Sequence, residues 1–358
     1  MEKPQPSPFY DGTKLLSMKD INGNTPEIFM CTTNRSGGKT TWFNRYCLKK
    51  FITKREKFAL IYRFKYELDD VANKFFKDIG GLFFPDYFMT SVKKSDGIYH
   101  ELILTKEGDD EGVCCGYALA LNSADAIKKM SHFFSDVERM IMDEFQSETS
   151  HYCPEEVQKF RSVHTSVARG QGKMSRYVPV YMISNPITLL NPYYVALDIT
   201  TRLNAKTKFL KGEGFVVEQG YVKSAYDAQR ESAFNRAFTS AMPNGKNEYG
   251  AEGVYLNDNL SFIAKPNGRS KYICTVMYNG TPFAIREFRN EGIIYCDNTP
   301  DMTDPNKLAL TTADHNINYV MLRANDIFIQ NMRWMFERGC FRFKDLRCKE
   351  VILKMLSY

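Results

Sequence analysis

The stretch CTTNRSGGKTTWF, residues 31–43, constrains the fold more than any other part of the chain. It follows the short apolar run EIFMCT and leads into KTTWFNRYCLKKFITK, where Trp42, Phe43, Tyr46, Cys47 and Phe51 recur at helical spacing with lysines opposite. The pattern is strand, glycine-rich turn, helix. Such a turn aims backbone N–H groups at a ligand from a helix N-terminus, an arrangement suited to phosphate. Its end matches the motif G-x-x-x-x-G-K-[ST] at Gly38, Lys39 and Thr40, whereas Thr33 stands where the first glycine belongs. On this reading Thr33 makes the tight turn with some strain. Asn34, Arg35 and Ser36 add donors, and Gly37 and Gly38 allow close approach. Lys39 carries the β/γ charge, Thr40 gives a hydroxyl to Mg2+, and Thr41 completes an ATP-binding stretch from Thr33. The competing reading is a surface turn ahead of a helix.

A second signal bears on that choice. RMIMDEF is an apolar strand ending in Asp143 and Glu144, about a hundred residues beyond the lysine. Asp143 would hold the magnesium shell, and Glu144 would orient and deprotonate an attacking water. Acids at strand ends are also ordinary turn residues, but the order and the elements together favour a P-loop ATPase. In YMISN, the polar end of another buried strand, Ser184 and Asn185 would lie beside a γ-phosphate; a capped strand end before Pro186 explains them equally well. Hydrolysis also needs a cation on the leaving phosphates, and Arg169 in VARGQGKMSR is the best-placed candidate against the alternative of a solvated loop arginine. Arg63 and Lys65, at the exit of the second strand, could touch a nucleic-acid backbone, with a solvated loop as the default.

At 358 residues the chain exceeds what one core usually supports, and two domains are expected. The excess of 48 basic over 42 acidic residues, a net charge of +6, fits a nucleic-acid partner and many proteins without one. Nine scattered cysteines without a C-x-x-C pair point to a reduced, cytoplasmic chain without structural zinc. No apolar run approaches the length of a membrane span, so no membrane partner is expected. Periodicity places a helix over ELDDVANKFFKDIG that stops at Gly80 and Gly81, an inserted β-hairpin between Tyr87 and Ala120, and one helix over INYVMLRANDIFIQNMRWMFERG. The expected organisation is an N-terminal arm over 1–24, an α/β ATPase domain over 25–198, a linker or lid over 199–246, and a C-terminal α+β domain over 247–358.

NRSGGKT, YRFKYEL, CGYALAL, MDEF, ISNPITLLNPYY and YNGTPFAIREFRNEGIIYCD, in that order and spacing, resemble the DNA-packaging motor ATPases of phi-29-type short-tailed phages, within the terminase-like packaging ATPases. The resemblance runs over nearly the whole chain. It implies a P-loop NTPase domain of the ASCE type, with Lys39 on phosphate, Thr40 on magnesium, a Walker B pair at Asp143 and Glu144, and a trans-acting arginine finger at Arg169. Lys128 matches a second basic position at the subunit boundary, and Arg35 one within the loop that could act in cis. It further implies a ring, commonly a pentamer, docked on the capsid portal of a procapsid in the host cytoplasm. That ring would use ATP and Mg2+ to thread double-stranded DNA, in the phi-29 type with a packaging RNA. The C-terminal domain is expected to resemble a ribonuclease H fold without nuclease activity, because Tyr278 and Asn279 stand where active nucleases have an aspartate, and Asp297, Asp301 and Asp304 fall in one loop. Two readings compete: a terminase large subunit with an active nuclease, and a nucleotide-binding scaffold that does not hydrolyse.

Overall fold

The computed structural model describes residues 9–149, 151–200, 202–203, 207–234, 236–237, 262–323 and 326–356. The first eight residues of the expected arm, the middle helix beyond residue 237 and the expected boundary at 246–247 lie outside them. The chain divides into two compact units, Met1–Leu197 with Leu203–Asn257, and Asp198–Arg202 with Asp258–Tyr358.

In the first unit the strands are β1 (Ile28–Thr32), β2 (Lys57–Tyr62), β3 (Tyr87–Lys94), β4 (Tyr99–Lys106), β5 (Val113–Ala120), β6 (Val137–Asp143), β7 (Val180–Ser184), β8 (Phe209–Gly212) and β9 (Phe215–Gln219). Its helices are α1 (Thr13–Ser17), α2 (Lys39–Lys54), α3 (Val71–Phe83), α4 (Ala124–Lys129), α5 (Glu156–Val167), α6 (Pro192–Ala196) and α7 (Lys223–Glu231). The strands form one nine-stranded sheet in the order β3-β4-β5-β2-β6-β7-β1-β9-β8. From β5 to β9 every neighbouring pair is parallel. Strands covered on both faces read as continuous apolar runs, and VYMIS of β7 is buried at every position. α2 starts where its sequence periodicity places it. Gly38 precedes it at φ 86°, a left-handed conformation that glycine adopts without strain. Its buried Phe43, Cys47, Leu48 and Phe51 join Phe29 and Tyr181 in the core.

Several expectations are revised. α3 does not stop at the glycines but runs through both to Phe83, because the missing Cβ of Gly80 leaves room for the Phe76 ring against the helix. The segment expected as a hairpin insertion has its second strand, β5, in parallel register with β2, so it belongs to the sheet itself. The middle piece, read as a linker, supplies β8 and β9 to the same sheet; β9 pairs with β1 along its whole length. The described part of the arm is likewise structural. Leu15 of α1 is fully buried, and the buried Tyr10 stacks on Phe43 and donates its hydroxyl to Glu218 at 2.7 Å.

The second unit holds β10 (Lys271–Tyr278), β11 (Thr281–Phe288), β12 (Ile293–Asp297), β13 (Lys307–Ala309), β14 (Val320–Met321) and β15 (Phe341–Phe343), in the order β14-β13-β10-β11-β12-β15. Asn279 and Gly280, at φ 50° and 73°, turn β10 back into β11. The helices are α8 (Ile327–Glu337) and α9 (Leu346–Leu356). The single long helix expected from residue 317 is shorter and starts at Ile327, where the Asp326 carboxylate caps the Phe328 N–H. Cys274, Val276, Ile285, Cys296, Phe343, Val351 and Ile352 form its core.

Burial pushes the Glu218 carboxyl above its usual range while the Tyr10 hydroxyl opposes that shift. Tyr10→Phe removes the donor and leaves a buried carboxylate short of a partner. Denaturant unfolding of this variant should show a loss of about 1–3 kcal/mol.

Candidate functional site

β6, β7 and β1 are parallel neighbours, so their carboxyl ends share one edge of the sheet, the place where open α/β sheets hold ligands. Thr32 pairs with Ser184 and Asp143 with Ile183. The glycine-rich turn and the Asp143–Glu144 pair therefore flank the end of β7.

Thr33 carries no strain at the position of the missing glycine. Its φ is not positive; the left-handed residues of the loop are Ser36 at 61° and Gly38 at 86°. The space that a glycine at 33 would leave is made instead by Gly220, where an added Cβ would come within 2.8 Å of the Thr33 methyl. Gly220 N–H donates to the Thr32 carbonyl at 2.8 Å, so the strand end after β9 lies directly against the loop. Gly37 meets the same segment: a Cβ there would reach the Val222 side chain at 2.9 Å.

Lys39 is 7% exposed and donates to Asn185 Oδ1 at 2.7 Å. Burial pulls its ammonium below its usual range, and the charges of Asp143 and Glu144 work against that shift. Asp143 sits at the end of β6 on the floor of a cleft of about 270 Å³ shared with Thr40, Asn44, Tyr62 and Glu144. Although the cleft gives it some solvent contact, its depth pushes the carboxyl up to about 6; Glu144 adds to the rise, and Lys39 and the Thr40 hydroxyl oppose it. Glu144 is exposed, stands at φ 55°, and donates its backbone N–H to Asp143 Oδ1 at 2.9 Å. Lys39, Thr40, Asp143, Glu144 and Asn185 are thus brought together.

Other candidates do different work. Arg63 is 8% exposed and no part of a nucleic-acid surface. Its Nε bonds both oxygens of Glu156, at 3.1 and 3.0 Å, while Nη1 and Nη2 donate to the carbonyls of Glu144 at 2.8 Å and Phe145 at 2.6 Å. These bonds turn the guanidinium inward, and it also lines the cleft beside Thr40, Asp143 and Glu144. Asn34 does not offer its amide to a ligand either: Nδ2 donates to the Val222 carbonyl at 3.0 Å and Oδ1 accepts the Val222 N–H at 2.8 Å. Ser184 is buried, its hydroxyl donating to the Asn185 carbonyl and accepting from Gln146 N–H. Ser36 Oγ accepts from Gln229 of α7 at 2.9 Å. Thr41 lies half-buried in the first turn of α2.

Arg35 forms an ion pair with Glu148. Lys65 is exposed and donates to the Asp96 carbonyl. Arg169 and Lys128 are exposed, and their side chains make no hydrogen bond or ion pair among the described residues and do not join the Lys39 cluster. Arg169 opens an exposed loop whose base is held by Arg176, which pairs with Glu138 and donates to the carbonyls of Val137 and Val167. Sequence patterning passed over Glu156, Arg176, Gly220 and Val222, since buried charge pairs and a glycine on another strand leave no periodic trace.

Chemically, the turn offers backbone donors and a buried ammonium to a polyanion, and Thr40 with Asp143 offers two hard oxygens to a divalent cation. Among the described residues no group of three or more His, Cys, Asp or Glu side chains could hold a metal alone. A cation here would share its shell with phosphate oxygens and water, as Mg2+ does.

The family model of the podovirus DNA encapsidation protein (Gp16) matches residues 4–357. The chain belongs to this family. It is 25% identical to the DNA packaging protein of Bacillus phage phi29 over 343 residues, covering 94% of this chain and 93% of that one. A chain of the bacteriophage Phi-29 viral genome packaging motor assembly has a TM-score of 0.69 at 24% identity, with 98% of this chain and 100% of that one covered. A chain of the Phi-28 gp11 DNA packaging motor has a TM-score of 0.55 at 16% identity, with 98% of each covered. The mixed α/β fold with its large parallel sheet is similar to that of these packaging-motor structures.

A carboxyl whose pKa is raised in the fold contributes stability that is present below its unfolded value, 3.8, and lost as pH rises through about 6. In buffer free of metal and nucleotide, Asp143→Asn should therefore raise the unfolding free energy at pH 8, by on the order of 1–3 kcal/mol. The gain should shrink as pH falls through about 6 and vanish near pH 4, readable by urea unfolding at several pH values.

Proposed function

We propose that this protein is an ATP-driven double-stranded DNA translocase that fills a preformed viral capsid. The observation that carries the reading is the meeting of Lys39, Thr40, Asp143 and Glu144 at the carboxyl ends of β1 and β6, in a chain of the DNA encapsidation family. The stretch from Thr33 to Thr41 is the Walker A loop, and Asp143–Glu144 the Walker B pair. Bound with the nucleotide, Mg2+ would screen the phosphate charge, held by Thr40 and Asp143. Lys39 balances the β/γ charge, and Asn185, bonded to its ammonium, registers the γ-phosphate. Glu144, exposed beside Asp143, orients a water and takes its proton.

The chain works as a ring, a pentamer in this reading, on the portal vertex of the procapsid in the host cytoplasm, with a packaging RNA in the phi-29 manner. Arg169 completes a neighbour's site; its exposure and the absence of a side-chain partner among the described residues support a role in trans, and Lys128 shares those properties. Lys65 remains an accessible cation for a DNA phosphate. In the second unit, β10, β11 and β12 run antiparallel, β13 and then β14 are added parallel beside β10, and β15 lies parallel to β12 at the other edge, an order that supports the reading of a ribonuclease H-like fold. Its acids serve other ends. Asp297, the last residue of β12 rather than a loop residue, pairs with Arg286, and Asp301 caps Thr303. Asp304 accepts from Asn306 N–H, and Asp314 holds the N–H groups of Asn279 and Gly280. The unit is read as a docking or DNA-gripping module rather than a nuclease.

Double-stranded DNA should stimulate ATP hydrolysis by the wild type. Glu144→Gln should keep ATP binding and lose turnover with or without DNA, and surviving turnover would refute the assignment of the base. For Arg169, a mixture of Arg169→Ala and Lys39→Ala chains should recover part of the ATPase activity that each lacks alone. Absence of recovery in rings verified to be mixed would favour action within one chain.

A further inference from the structure

The ladder between β6 and β7 ends at the pair Asp143–Ile183, followed by one more bond from the Phe145 N–H to the Ile183 carbonyl at 3.3 Å. There the two chains leave the sheet, one having just placed Glu144 and the other about to place Asn185. Gln146, 2% exposed, joins them. Its backbone N–H donates to Ser184 Oγ at 3.4 Å, and that hydroxyl donates to the Asn185 carbonyl at 2.8 Å. Its side-chain Oε1 accepts the N–H groups of Ile187 and Thr188, each at 2.9 Å. Pro186 has no N–H to give, so these are the first two backbone donors after Asn185. Gln146 Nε2 has no hydrogen-bond partner among the described residues, so the side chain acts through its oxygen.

We propose that Gln146 is a positioning residue for ATP hydrolysis: it holds the segment that carries Asn185 at a set distance from the segment that carries Glu144. The proposal rests on the reading of this site as an ATPase. In that reading Glu144 takes the proton of the attacking water, and Asn185, bonded to Lys39, lies beside the γ-phosphate. The two must keep their spacing while water and phosphorus meet, and an offset of about 1 Å at such a site costs on the order of a hundredfold in rate. Arg63 fixes the Glu144 side of this spacing through the carbonyls of Glu144 and Phe145. Gln146 fixes the other side, since both its backbone N–H and its side-chain oxygen are spent on the chain that leaves β7. Ile187 is itself 2% exposed, so without the Gln146 oxygen its N–H is an orphan in the interior, and the Asn185 segment must move to meet a new acceptor.

The test uses the full-length protein with Mg2+ and double-stranded DNA and measures ATP affinity, KM and kcat. Gln146→Met fills the same space without an acceptor, Gln146→Asn draws the amide back by one methylene, and Gln146→Glu keeps an oxygen at the same reach. In Gln146→Met and Gln146→Asn kcat should fall about tenfold or more while ATP affinity and KM stay within about twofold, and Gln146→Glu should keep most of the wild-type kcat. Amide hydrogen exchange without nucleotide should speed up at Ile187 and Thr188 in the first two variants and not in the third. Should Gln146→Met fail to fold, Gln146→Asn alone decides. Faster exchange with kcat unchanged would make the brace structural alone and overturn the inference, as would exchange left unchanged. A loss of affinity as large as the loss of kcat would also overturn it, because it means a loosened fold rather than a misplaced pair. In each of these cases the ATPase reading stands on wild-type turnover. If wild type binds ATP without hydrolysing it, the ATPase reading and this inference fall together.

Discussion

The geometry at the edge of the sheet depends on one buried guanidinium. Arg63, just beyond the end of β2, reaches across to the segment after β6 and bonds the carbonyls of Glu144 and Phe145, while its charge is met by Glu156 at the start of α5. Glu156 is in turn satisfied by Tyr193 and by the Cys153 N–H, so the pair is buried without an unmet group. Burying such a pair contributes little net stability, but breaking one is costly because it strands a charge in the interior. What it supplies here is shape. Glu144 holds a left-handed backbone, and the two carbonyls that follow that conformation, its own and that of Phe145, are fixed by the same side chain.

A second constraint runs from the opposite flank. The loop from Thr33 to Gly38 is not a free turn: Tyr10 grips the Gly37 carbonyl, Gly220 bonds the Thr32 carbonyl, and Val222 holds both ends of the Asn34 amide. These contacts come from segments far apart in sequence. They account for the way the N-terminal residues and the middle piece belong to the same unit as the central strands.

The sequence carried the parts of the fold that are local. α2 and the buried strands β6 and β7 follow from apolar runs and periodicity, and Lys39, Thr40, Asp143 and Glu144 from their order on those elements. What escaped was non-local. Nothing in YRFKYEL distinguishes an arginine that turns inward to Glu156 from one that faces solvent, because its partner lies about ninety residues away. KFLKGEGFVVEQG falls within the stretch expected as a linker or lid, although Phe215, Val216 and Val217 supply the buried positions that let it close the sheet beside β1. The glycines of α3 looked like a stop, yet Gly80 serves a ring one turn back.

The relation between Thr33 and Gly220 has a wider meaning. Steric allowance for a bulky residue in the loop lies just past the end of β9, nearly two hundred residues along the chain. The requirement for smallness is a property of a contact between two positions, and either can meet it. Reverting Thr33 to glycine would relax the demand at 220, and a side chain introduced at 220 alone would be unwelcome. A side chain at 220 is expected to be tolerated only together with a small residue at 33.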